Sequence, residues 1–143
     1  MKLKIRRDNN LLNYFSQLNI YYLFFGVLIL DQLSKYLFGR FLSTVCNSGV
    51  AFGLRGGGTL FSTFILLTVL LLMRMEKNRG SLAALALVFA GGFSNLVDRI
   101  LFGCVRDFID FVIFPVFNFA DVFISLGVAL VIYFTMMRKN ETV

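Results

Sequence analysis

Five aspartates, Asp31, Asp98, Asp107, Asp110 and Asp121, sit beside long apolar runs in this chain of 143 residues. The stretch VRDFIDFVIFPVFNFADVF, from Val105 to Phe123, holds three of them among Phe, Val and Ile. Two carboxylates brought close together cannot both ionise easily, so one pKa rises and the pair shares a proton. The ionised partner can draw a proton from water, which attacks an amide carbonyl. The protonated partner polarises that carbonyl, and the leaving nitrogen is protonated in turn. This is aspartyl proteolysis, and it needs neither His nor metal nor cofactor. The chain has no His, which excludes Ser-His triads, His acid–base chemistry and His-ligated metals. Spacing alone leaves Asp98, Asp107 and Asp110 open as the partner of Asp121.

The elements that must hold these acids are membrane helices. Hydrophobic residues make up 58% of the chain and charged residues 15%, against about 25% charged in soluble domains. Four apolar segments, roughly 18–38, 59–73, 82–101 and 120–137, approach the ~20 residues that cross a bilayer core. Irregular backbone cannot face lipid, so they are expected to be helices of an all-α integral membrane protein with one domain, 1–143. The second is short, and its Ser and Thr can bond to a carbonyl one turn back. The N-terminus, MKLKIRR before an apolar run, looks like a signal peptide. No small-residue cleavage site follows, so the first segment is expected to stay as an anchor.

Net charge is +6, yet the basic residues form no single face, and no nucleic-acid partner is expected. They cluster between the apolar runs. Lys2, Lys4, Arg6, Arg7, Arg74, Lys77, Arg79, Arg138 and Lys139 fall on one side, which the positive-inside rule makes cytoplasmic, with both termini. The segments 39–58 and 102–119 then lie outside. Asp8, Glu76 and Glu141 are in the cytoplasmic flanks, while the five aspartates named above converge on the outer surface. RGGGT, Arg55 to Thr59, is expected to be a flexible turn into helix 2. STVCNSGVAFGL before it suggests a short strand or hairpin on the membrane surface.

Each polar group also has a plain structural reading. Asp31 and Lys35 share a helix face, acid first, and read foremost as an interfacial ion pair with Lys35 reaching outward. Gly91, Asn95, Asp98 and Arg99 make a small-polar stripe on helix 3. Small residues permit close helix contact, and ionisable residues within a span face the bundle or a wet cavity. Asp121 falls in the first turn of helix 4, where the dipole favours a carboxylate, with Asn118 placed to cap. Cys46 and Cys104 are both expected outside and read as unpaired, the common state in apolar proteins; a disulfide is the alternative in an oxidising compartment.

The motifs DQLSK (Asp31–Lys35), NSGVAFG (Asn47–Gly53), GGFSNLVDR (Gly91–Arg99), VRDF (Val105–Phe108) and FNFAD (Phe117–Asp121) resemble, in order, those of bacterial lipoprotein signal peptidase, also called signal peptidase II. Each is short, and five in order are specific. The resemblance implies an intramembrane aspartyl endopeptidase of the bacterial inner membrane. Such enzymes cut the signal peptide from prolipoproteins just before a diacylglyceryl-modified Cys, at the extracytoplasmic face. It implies Asp107 and Asp121 as the catalytic pair, with no cofactor and no metal. Asp31, Lys35, Asn47, Gly49, Ala51, Gly91, Asn95, Asp98, Arg99, Asn118 and Ala120 match positions that line or hold the site. The expected partners are lipid-modified prolipoprotein signal peptides and membrane lipids, and the chain is expected to act as a monomer. Ser94 stands where the family usually has Gly, and the basic N-terminal extension matches no motif. The rival readings are a small multi-pass proton or ion carrier, whose charges would lie nearer mid-membrane, and a structural membrane subunit.

Overall fold

The computed structural model describes residues 9–41, 44–48 and 57–140. The elements are α1 (Asn9–Phe41), β1 (Val45–Asn47), α2 (Gly57–Met75), α3 (Arg79–Phe102), β2 (Val105–Asp107) and α4 (Phe119–Asn140). Each helix contains a stretch long and apolar enough to cross a membrane: Ile20–Phe41, Gly57–Met75, Arg79–Phe102 and Phe119–Arg138. The protein is an all-α integral membrane protein of four transmembrane helices with a small β ribbon. The helices run past the expected limits at both ends. Helix 1 begins at Asn9 rather than at residue 18, because a helix does not stop where its apolar stretch does. The rows of exposed Leu, Ile and Phe on α1, α2 and α4 are the surface that lipid tails would cover.

α3 is the centre of the bundle. It packs against α1, α2 and α4, whereas among the described residues the α2 backbone packs on α3 alone. Its composition explains this: ten of its side chains are buried, and most of them are Ala, Gly, Ser, Asn or Asp. Two glycines set the α3–α4 spacing. A Cβ on Gly91 would come 2.5 Å from the Ala120 carbonyl oxygen, and one on Gly127 would come 2.7 Å from the Ala84 carbonyl oxygen. In membranes, where no hydrophobic effect drives helices together, such close backbone contact is a main source of association.

The helix ends follow local chemistry. The Asn78 side chain caps α3 by accepting the Ser81 N–H at 2.9 Å. Gly103, at φ 76°, ends it in the left-handed region, its N–H donating to Arg99 O at 3.1 Å. In α2, the Ser62, Thr63 and Thr68 hydroxyls donate to carbonyls one turn back, at 2.7, 2.8 and 3.0 Å. These polar atoms are thereby satisfied within the span. Gly57 and Gly58 already belong to α2, so the last two glycines of the run open the helix, while Arg55 and Gly56 lie outside the described residues.

The short strand expected before α2 is present as β1, and it pairs antiparallel with β2, with Val45 opposite Asp107, Cys46 opposite Arg106 and Asn47 opposite Val105; residues 43 and 49–54 of that stretch lie outside the described residues. One sequence expectation needs correction. Cys46 and Cys104 are joined as a disulfide with a Cα–Cα distance of 5.5 Å. The reading as free thiols fails because the strand pairing, invisible in either local sequence, brings the two outer segments side by side.

Candidate active site

One end of the bundle, where α3 ends and α4 begins, collects two carboxylate clusters. In the first, Asp31, Lys35 and Asp98 are fully buried. Lys35 Nζ lies 2.7 Å from Asp31 Oδ2 and 3.2 Å from Asp98 Oδ2, and donates to Asn95 Oδ1 at 2.9 Å. Lys35 therefore does not reach outward, as its spacing from Asp31 suggested; it points into the bundle. The reason is tertiary: α3 supplies a second carboxylate and an amide oxygen that α1 alone could not show. Arg106 completes the cluster, its backbone N–H and guanidinium both donating to Asp98 at 2.8 to 3.3 Å. Gln32 donates to Asp98 Oδ1 at 3.0 Å and accepts from Arg106 at 2.9 Å. The Ser94 hydroxyl donates to Asp31 Oδ2 at 2.7 Å, so the residue that replaces Gly is tied into the network.

In the second cluster the partners are amides. Asp107 lies at the end of β2 and is 1% exposed. Its Oδ1 accepts from Asn118 Nδ2 at 2.6 Å and its Oδ2 from Asn47 Nδ2 at 2.9 Å. Asp121 Oδ1 accepts from Asn95 Nδ2 at 2.8 Å. Its Oδ2 accepts the Asn118 N–H at 3.2 Å, while the Asp121 N–H donates to Asn118 Oδ1 at 3.1 Å. That reciprocal pair is a capping box at the start of α4. Asn118 thus caps, as its position foretold, and with its remaining amide hydrogens it ties Asp107 to Asp121. It also donates to Asn95 Oδ1 at 3.1 Å, and Lys35 shares that oxygen, so Asn95 joins the two clusters.

The polypeptide around Asp107 is pinned on every side. Phe108 stacks on Phe38 of α1 at 4.9 Å and meets Phe119 of α4 edge-on at 5.7 Å. The Cys46–Cys104 bond ties β1 to the residue before β2. The Ala120 N–H donates to Asp31 Oδ1 at 2.9 Å, which locks the start of α4 to α1. Burial pushes the Asp107 carboxyl above the usual carboxylate range. The Asn47 and Asn118 hydrogen bonds and the Lys35 charge oppose that rise, and the Asp121 charge adds to it.

The other two candidate partners of Asp121, Asp98 and Asp110, have contacts of their own. Asp98 is engaged by Lys35, Arg106 and Gln32. Asp110 is exposed and accepts its own loop's Val112 N–H at 2.7 Å. Asp121, Asn95 and Arg99 line one end of a cavity of about 270 Å³ between α2, α3 and α4, whose other walls include Ile65, Leu66 and Val88. The buried Nε of Arg99 has no hydrogen-bond partner among the described residues. Of the expected site residues, Gly49 and Ala51 lie outside the described residues; the others are placed as given above. Gln32 and Arg106 were not singled out from the sequence, although both fall within quoted motifs. Gly127, which seats α4 on α3, carried no sequence signal at all.

The family model for Signal peptidase (SPase) II matches residues 23–137. The lipoprotein signal peptidase of Caldanaerobacter subterraneus subsp. tengcongensis is 36% identical over 137 residues, covering 80% of this chain and 92% of the relative. That of Microcystis aeruginosa is 39% identical over 138 residues, covering 80% and 89%. Among solved structures, a bacterial membrane enzyme determined by the in meso method at 2.3 Å resolution superimposes with a TM-score of 0.72 at 27% identity. It covers 86% of this chain, and the chain covers 90% of it. The match over most of both lengths, in sequence and in fold, shows that the chain belongs to the signal peptidase II family of membrane proteases.

Proposed function

We propose that this protein is an intramembrane aspartyl endopeptidase. It removes the signal peptide from diacylglyceryl-modified prolipoproteins just before the lipidated Cys, with Asp107 and Asp121 activating the water. It works in the bacterial inner membrane with this site at the extracytoplasmic face. The observation that carries the reading is the partner set of the two aspartates. Both are held by amides and N–H groups, and among the described residues neither pairs with a Lys or Arg. A carboxyl left without a cation keeps its proton more readily.

The steps balance within the pair. Asp107, whose carboxyl burial favours as protonated, donates its proton to the scissile carbonyl oxygen. Asp121, ionised, takes a proton from water, and the resulting hydroxyl bonds to the carbonyl carbon. As the tetrahedral gem-diol collapses, Asp121 protonates the leaving nitrogen and the C–N bond breaks. A gem-diol hydroxyl returns its proton to Asp107 as the carbonyl reforms. Asn118 holds both carboxyls in register, and the Arg99 guanidinium is placed to donate to substrate carbonyls in the cavity.

The test is cleavage of a diacylglyceryl-modified prolipoprotein by the purified chain, read by gel shift, with Asp107→Asn and Asp121→Asn beside wild type. Loss of cleavage in both variants, with normal membrane insertion, is expected. Near-normal turnover in either would overturn the pair, and no cleavage by wild type would return the carrier reading.

A further inference from the structure

The cavity beside Asp121 does not end where its polar residues do. Among the described residues, the backbones of α2 and α4 each pack on α3 and not on each other. A second cavity of about 320 Å³ lies at the opposite end of the same three helices, lined by Leu72, Leu85 and Val131 with Glu76, Lys77 and Arg138 at its mouth. The two cavities use the same helix faces. Leu66, Val69 and Leu72 follow at three-residue steps on α2, Val88 and Leu85 on α3, and Ile124 and Val131 two turns apart on α4. Together they trace an apolar cleft. From Asp121 to Arg138 it extends about 25 Å at roughly 1.5 Å per residue.

Glu76 stands at the far mouth, between α2 and α3, with its side chain 17% exposed. It is held in place: its Oε1 accepts the Lys77 and Asn78 N–H groups at 2.9 and 2.8 Å. Its ionic partner among the described residues is Arg138, at 3.3 Å and 56% exposed, a long contact to a solvated side chain. A rigid carboxylate with an exchangeable cation, at the end of an apolar cleft, suits a ligand that is apolar along its length and cationic at one end.

We infer that Glu76 receives the basic N-terminal segment of the substrate's signal peptide. The inference rests on the function proposed above and adds a specificity residue at the end of the cleft away from the chemistry. A signal peptide has a cationic n-region followed by roughly 7–15 apolar residues. As a helix, that apolar stretch and the few residues before the cut span about the length of the cleft. With the scissile bond at Asp121, the n-region falls at Glu76. Lys77 and Arg138 share the mouth, so an incoming Lys or Arg replaces Arg138 on Glu76 rather than meeting an empty acid. The gain is therefore modest, about threefold to fivefold, the upper range for an exposed ion pair.

The experiment compares two diacylglyceryl-modified prolipoproteins that differ only in the n-region, with Lys and Arg kept or replaced by Gln. It is run in uncharged detergent, so that anionic lipid cannot supply a preference. Wild type is expected to favour the basic substrate about threefold to fivefold in kcat/KM, through KM. Glu76→Gln should lose the preference and cut both substrates at the rate wild type shows for the neutral one. Arg138→Gln, which frees Glu76, should widen it. An unchanged preference in Glu76→Gln, or equal losses on both substrates, would overturn the inference and leave Glu76 as a brace of the α2–α3 turn. Equal cleavage of both substrates by wild type would also overturn it, while the peptidase reading stands. No cleavage of either substrate by wild type would remove both.

Discussion

The two carboxylate clusters at one end of the bundle lie side by side and share Asn95, yet they are built on opposite principles. Around Asp31 and Asp98 the charges are matched, with Lys35 and Arg106 facing them inside the protein. Around Asp107 and Asp121 the hydrogen-bond partners are amides, and the Nε of Arg99, in the same cavity as Asp121, has no partner among the described residues. A buried carboxylate that faces its own cation contributes structure. In the proposed mechanism, carboxyls held by amides exchange a proton within a fixed geometry. The comparison separates a brace, built on α1 and α3, from the proposed reactive pair, built on β2 and α4.

The largest effect expected is on chemistry at the second cluster. Asp107→Asn and Asp121→Asn each keep the shape and remove the titrating group. Cleavage should fall by roughly 10²–10⁴-fold, the range for a general acid or base, with helical circular dichroism unchanged. Asp110→Asn should leave cleavage within about twofold. In the first cluster the loss should appear as stability. Lys35→Met leaves the buried Asp31 without its cation, while Asp98 keeps Arg106, and should cost about 3–5 kcal/mol, measured by unfolding in detergent. If Lys35→Met instead unfolds like wild type and only cleavage fails, the division between brace and reactive pair is wrong.

A smaller effect should come from the contact that brings α4 to α3. Gly91→Ala drives a methyl against the Ala120 carbonyl and the Ile124 side chain. It should cost about 1–3 kcal/mol, as other overpacking does. Because Ala120 sits next to Asp121, cleavage should fall as well.

The smallest effect is the pH dependence. Burial raises the Asp107 carboxyl above its ordinary value, so in this range the folded chain holds a proton that the unfolded chain has released. The stability that this proton contributes is complete below the ordinary Asp range and is lost as pH rises through the raised value. Asp107→Asn should flatten that slope of stability against pH. Cleavage by wild type should decline over the same rise, since the acid that protonates the carbonyl is then ionised.

How much was legible beforehand follows from what each signal is made of. The four spans were plain, because a bilayer demands long apolar helices whatever surrounds them. The gathering of acids at one end followed from the alternation of spans with basic clusters. Asn118 as the α4 cap was legible because capping is a contact between residues three apart. The fate of Lys35 was not. Its side chain is four residues from Asp31, and only α3, sixty residues on in sequence, decides whether it turns to water or to Asn95. The Cys46–Cys104 bond was hidden for the same reason, since β1 and β2 meet only once α2 and α3 have returned the chain to the outer end.

The sequence by itself determined the class of protein, the number of spans, the ordered motifs and the residue types able to do acid–base chemistry without His. Those depend on composition and on neighbours along one helix. Only the tertiary structure decided which aspartates face a Lys or Arg and which are held by amides. A buried carboxyl's protonation depends on groups that other helices bring within about 3 Å, and sequence separation does not measure that distance.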